Sequence, residues 1–106
     1  MYMTIREYRC DPAAMGKIMH LIDEHFADEM TQMPGFIAYE AIDCGPGQLI
    51  TTTTFADRDA AERSTQLAND FIHDHLADVE LNRTAVYTGH VLVNRAVREV
   101  TEPVHA

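Results

Sequence analysis

The chain has 106 residues, 46% of them hydrophobic and 24% charged, which fits one globular domain and excludes an enzyme built from separate cofactor and substrate modules. Lys and Arg number 8 against 17 Asp and Glu, a formal charge of −9; a field of that sign repels polyanions, so neither nucleic acid nor an anionic membrane surface is expected as a partner. No stretch approaches the roughly 20 apolar residues of a membrane helix, and residues 1–9, carrying Arg6, Glu7 and Arg9, lack the apolar centre of a secretory leader, so a cytoplasmic protein is expected.

Residues 1–10 alternate around Tyr2, Ile5 and Tyr8, the period of a half-buried strand. Asp11-Pro12 reads as an N-cap with proline at the first helical position. Met15, Ile18, Met19, Ile22, Phe26, Met30 and Met33 then recur at steps of three and four, which predicts a helix over 12–33 with one apolar face. Pro34-Gly35 stops it. Strands are predicted over 36–44 and 48–55, joined at Gly45-Pro46-Gly47, the second favoured by the β-branched run Thr51–Thr54. Asp57 caps a second helix, with a potential break near Asn69-Asp70. A fourth strand is expected over 84–95, where Gly89 marks a bulge or a close approach. The single domain covers 1–98, and the tail 99–106, with Pro103, is expected to fray.

The order is β-α-β-β-α-β, which with right-handed crossovers gives an α+β, ferredoxin-like fold with a four-stranded antiparallel sheet and two helices on one face. The other face is left bare, and a homodimer formed through that open sheet face is the simple way to cover it. The third strand lies between the first and second, which sets Cys10 and Cys44 about 9–10 Å apart at two strand spacings, too far for a disulfide. They also lack the CxxC spacing of a zinc site, and are read as buried or half-buried free thiols.

Arg6 and Tyr8 on the first strand, Pro34-Gly35-Phe36 followed by Tyr39, a hairpin ending in Phe55, Asp57 opening a helix with Ala60 and Ala61, and Gly89 in the last strand together resemble the antibiotic-biosynthesis monooxygenase family of dimeric α+β barrel fold. The resemblance spans about residues 1–95. It implies a ligand pocket between the sheet and the helices of each subunit, and a fold that hosts cofactor-free oxygenases, haem degraders, isomerases and proteins without assigned activity. The Asn, Trp and His that haem-degrading relatives use fall by spacing on Arg6, near Ser64 and near Asp74. This chain has no Trp, so haem binding and degradation rank below the other readings, and anthrone-type oxygenation cannot be carried over by motif.

The residues themselves nominate a site. Arg6 and Tyr8 share one strand face; a guanidinium turned toward the helices must be paired or must bind an anion. Ser64, Ala68, Phe71 and His75 share one helical stripe, and an imidazole there suits a general base. The catalytic set is therefore His75, Arg6 and Tyr8, with Ser64, Phe71, Tyr39, Phe26 and Ile22 binding a small apolar or aromatic ligand. The bland alternatives are a structural ion pair for Arg6, a surface histidine for His75, and core or interface packing for Tyr39 and Tyr87. His73 is expected to face away. His20, Glu24, His25 and the His73-Asp74-His75 run lack three convergent ligands, so no metal is expected. Without a nucleotide or hydrolase motif, no cofactor is called for either. The function expected is a cofactor-independent monooxygenase of a small aromatic, polyketide-like or quinol substrate, with a non-catalytic ligand-binding dimer as the alternative.

Overall fold

The computed structural model describes residues 1–96; the expected tail lies outside them. β1 (Tyr2–Cys10), a helical run, β2 (Phe36–Asp43), β3 (Gln48–Phe55), a long helix and β4 (Leu81–His90) follow in chain order. The strands form one antiparallel sheet in the order β2-β3-β1-β4, so the ferredoxin-like arrangement expected from the element order is the one observed. No helix is long and apolar enough to cross a membrane among the described residues.

Asp11 opens the helical run, its side chain accepting from the Ala13 N–H at 3.0 Å, ahead of a 3₁₀ turn at Pro12–Ala14. α1 (Met15–Leu21) and α2 (Ala27–Thr31) are joined by a π turn over Ile22–Phe26. Met15, Ile18, Ile22, Phe26 and Met30 are all buried, the stripe expected from the spacing. The helical run stops at Thr31 rather than Met33, where the Thr31 hydroxyl donates to the Asp28 carbonyl. Asp57 caps α3 (Arg58–His75) through the Ala60 N–H at 2.8 Å. This helix runs unbroken through Asn69-Asp70, where Gln66 bonds Asp70 at i,i+4.

Three other expectations need correction. β4 spans Leu81–His90, not 84–95, and Leu92 and Val93 beyond it are more than four-fifths exposed. Gly89 pairs regularly with Met3, and a side chain added there would meet nothing; the bulge sits at Thr84 instead, between the pairs Glu7–Ala85 and Tyr8–Arg83. Cys44 is exposed, and only Cys10 is half-buried.

The helices cover the sheet face that carries Thr4, Arg6 and Tyr8 of β1 and Leu49, Thr51, Thr53 and Phe55 of β3, all buried. Ile42 and Tyr87 stand exposed. Gly47 (φ +70) turns the β2–β3 hairpin, and its carbonyl accepts from the Cys10 N–H at 2.9 Å. A Cβ on Gly47 would collide with the Cys10 carbonyl oxygen, which is rigid backbone. Gly47→Ala should therefore lower stability by about 2 kcal/mol or more, combining left-handed strain with that clash; urea denaturation checks it, and an unchanged midpoint would show that the hairpin re-forms without the Gly47–Cys10 contact.

Candidate small-molecule site

Arg6 is fully buried. α3 starts with Ala60 and Ala61, both fully buried, and these small residues bring its first turns close to the sheet. Ser64 and Thr65 reach the Arg6 Nη2, accepting at 2.6 and 2.9 Å, while Thr53 of β3 accepts from Nη1 at 3.0 Å. Ser64 in turn donates to the Ala61 carbonyl at 2.5 Å. Among the described residues no carboxylate pairs with Arg6, and no group accepts from its Nε–H. The guanidinium is held by neutral hydroxyls and keeps its charge unanswered. Burial lowers its pKa below the ordinary arginine value, Tyr8 and Tyr39 oppose this, and Arg83 adds to it.

Beside Arg6 lies a cavity of about 20 Å³, room for one water molecule. Tyr8, Tyr39, Leu49 and Thr51 line it from the sheet, Ile22 and Phe26 from the π turn, and Phe71, Ile72 and Leu76 from α3 and its end. The structure thus brings together Arg6, Tyr8, Tyr39, Phe26, Ile22 and Phe71 of the expected set. A π turn lengthens the helical repeat locally, and here it supplies two of the cavity's walls. Phe26 packs edge-on to Tyr39 at 5.4 Å and tilted to Phe71 at 5.1 Å.

Two expected residues take other places. Ser64 is not a wall of the cavity; it is fully buried behind Arg6 and holds it. His75 is exposed, with its ring against Phe71 at 5.0 Å and stacked on His25 at 5.1 Å, one ring removed from the cavity. The interior position at this end goes to Leu76, 1% exposed, because the chain leaves the helix there and the more apolar side chain takes the buried place. No histidine lines the cavity. Among the described residues no group of three His, Cys, Asp or Glu could hold a metal ion.

Next to the cavity lies an open groove of about 350 Å³, which shares Tyr8, Ile72 and Leu81 with it and adds Asn69, His73 and Arg83. His73, expected to face away, stands on this groove. Arg83 donates to the Asn69 side chain at 2.5 Å. Thr53, Thr65, Asn69 and Arg83 carry no signal in the sequence, since each is brought to the site by register or helix packing alone.

No protein-family model and no curated protein matches the chain. Solved structures share its fold. A dimeric ferredoxin-like protein from an uncultured marine organism superposes with a TM-score of 0.69 at 6% identity, over 91% of this chain and 98% of its own. The structural class is thus ferredoxin-like α+β, the one the sequence resemblance implied. Two other members carry the name of the resembled family or its activity. A candidate antibiotic biosynthesis monooxygenase from Chloroflexus aurantiacus matches at 0.67 and 13% identity, over 90% and 96% of the two chains. A monooxygenase from the ActVA-Orf6 gene of Streptomyces coelicolor, solved in complex with nanaomycin D, matches at 0.63 and 12%, over 91% and 89%.

Burial raises the pKa of Tyr8 and Tyr39 above the ordinary 10.0; the Arg6 charge opposes this in both, and Tyr8 raises Tyr39 further. Both are neutral phenols at physiological pH. A raised phenol pKa means that the folded chain keeps protons the unfolded chain has released, so this contribution to stability is lost as pH climbs past about 10. In an alkaline titration followed by phenolate absorbance, the fraction due to these two tyrosines should appear only as the protein unfolds. The Tyr8→Phe/Tyr39→Phe variant should lack that late fraction; an unchanged titration curve would place both phenols in water.

Proposed function

We propose that the chain is a cofactor-independent monooxygenase that captures a small aromatic, quinol or polyketide-like substrate as its enolate or phenolate. One observation carries this reading: a fully buried guanidinium, held by hydroxyls and matched by no carboxylate among the described residues, beside a cavity walled in part by phenols and phenylalanines. A cation desolvated in this way stabilises an anion far more than it would in water. The monooxygenase names among the structural neighbours support the reaction class. Arg6 stabilises the anion and Tyr8 orients its oxygen by a hydrogen bond. The carbanionic carbon adds to dioxygen to give a hydroperoxide, and loss of water leaves a carbonyl. In balance, one ring methylene and one dioxygen become one ring ketone and one water. With Arg6 lowering the pKa of the bound substrate, no base inside the cavity is required; this route gives His75 no direct contact with the reacting atoms.

A cavity of about 20 Å³ holds no such substrate, so binding widens it between the π turn and the end of α3. The second reading is a non-catalytic dimer of the same fold, whose tightly packed cavity of about 20 Å³ stays as it is. Oxygen uptake over a panel of anthrones and hydroquinones tests the proposal. Arg6→Met should lower kcat/KM by about 100-fold or more, and His75→Ala should change it by less than about threefold; a general base there would cost about 100-fold or more. Equal turnover by wild type and Arg6→Met would overturn the assignment.

We infer further that two copies pair through the uncovered sheet face, which leaves Ile42 and Tyr87 exposed in the single chain. Light scattering should give the mass of two chains, and Ile42→Glu/Tyr87→Glu should give one; a monomeric wild type would remove this part of the proposal.

A further inference from the structure

The groove outside the cavity carries a second cation with no carboxylate partner, and this bears on which aromatic anions the site takes. Arg83 stands on β4 opposite Tyr8 and lines the groove that shares Tyr8 with the Arg6 cavity. It donates to the Asn69 side-chain oxygen, and its charge and a side-chain hydrogen bond also act on the Tyr8 phenol; both partners are neutral, and no salt bridge involves Arg83 among the described residues. On α3, the side chain of Asp70 accepts from Gln66 at 2.9 Å and that of Asp74 is engaged with His73 at 3.2 Å. In a chain with 8 basic residues and 17 acidic ones, two guanidiniums left without carboxylates flank one tyrosine.

We propose that the site is bipartite and selects an aromatic compound bearing two acidic functions: an ionisable hydroxyl or enol that enters beside Arg6, and a carboxylate that stays at the mouth on Arg83. The inference rests on the reading of Arg6 given above and adds the substrate class. Arg6 lies two residues from Tyr8 along β1, and Arg83 one strand away from it, so the two backbone positions are about 8 Å apart at standard strand spacings. That span fits a two-ring aromatic with its acidic groups at opposite ends. Asn69 fixes the Arg83 fork without neutralising it, leaving the remaining N–H groups to take a carboxylate by two parallel hydrogen bonds. The walls between the two cations are Tyr8, Ile72 and Leu81, a surface suited to an aromatic ring.

Binding of three fluorescent probes by titration tests this without any turnover: 6-hydroxy-2-naphthoate, which carries both groups, 2-naphthol, which lacks the carboxylate, and 2-naphthoate, which lacks the hydroxyl. The hydroxy acid should bind at least about tenfold more tightly than 2-naphthol, a typical size for a charge-assisted carboxylate contact, and the preference should shrink as salt is raised. Arg83→Gln should abolish the preference while leaving 2-naphthol affinity unchanged within about twofold, and Arg83→Lys should restore part of it. The hydroxy acid should also bind more tightly than 2-naphthoate, and Arg6→Met should remove that difference. Equal binding of hydroxy acid and naphthol, an equal loss of both in Arg83→Gln, or no binding of any probe at millimolar concentration would overturn the proposal. If the pattern holds and no substrate consumes oxygen, the catalytic reading fails and the bipartite site stands.

Discussion

The Arg6 charge lies wholly inside this protein with no carboxylate paired to it among the described residues, and its surroundings are organised around that fact. Taking an ion out of water costs several kcal/mol even after the protein relaxes. Three hydrogen bonds from the guanidinium, each contributing about 1.5–3 kcal/mol, offset much of this, and they come from Thr53, Ser64 and Thr65. The chemical identity of those partners matters. A carboxylate would hold the side chain equally well and cancel its field; hydroxyls fix its position and leave the field intact. The Nε–H, with no acceptor among the described residues, remains available for one more hydrogen bond.

The topology makes that arrangement available. β1 is flanked by β3 and β4, so a side chain on its inner face is reached from both neighbours and from the helix above. Along that face Thr4 meets the Ala61 carbonyl, Arg6 meets Ser64 and Thr65, and Tyr8 shares its groove with Asn69 and Ile72. β1 and α3 therefore advance side by side, and the change in residue size along α3 grades the gap between them. Ala60 and Ala61 let the first turns close onto the sheet. Phe71, Ile72 and Leu76 hold the far end apart, and the cavity opens there.

Periodicity explains how much of this is legible in the sequence. Arg6 and Tyr8 can be assigned one face because a strand repeats every two residues, and Ile22, Phe26 and Phe71 can be assigned the interior because steps of three and four on a helix select one side. His75 escapes that rule because it fades at a helix end: eleven residues after Ser64 the chain is already leaving the helix, and Leu76 outcompetes an imidazole for the buried place. Arg83 is invisible for a different reason. In a regular pairing after Glu7–Ala85, Tyr8 would face Thr84; the extra residue at the bulge resets the alternation, and Arg83 comes opposite Tyr8 instead. A single unpaired residue whose position sequence patterning does not reveal thus decides which side chain guards the groove. The same patterning puts an irregularity in β4 at Gly89, where the ladder is regular.

The net charge of −9 and the two cations flanking Tyr8 are consistent because they act at different ranges. Surface charges are screened beyond roughly 8–10 Å at physiological salt, so the acidic exterior acts on what approaches as a whole surface and weakens the approach of a polyanion. The cavity has room for about one water molecule, so screening there is weak and the nearest charge dominates. A small organic anion crosses the screened region at little cost and then meets Arg6 at short range, whereas a polymer of phosphates carries the outer repulsion at every unit along its length. Under the reading proposed above, a small anion is taken where a polyanion is repelled, a selectivity that follows from where Arg6 and Arg83 are placed rather than from how few the basic residues are.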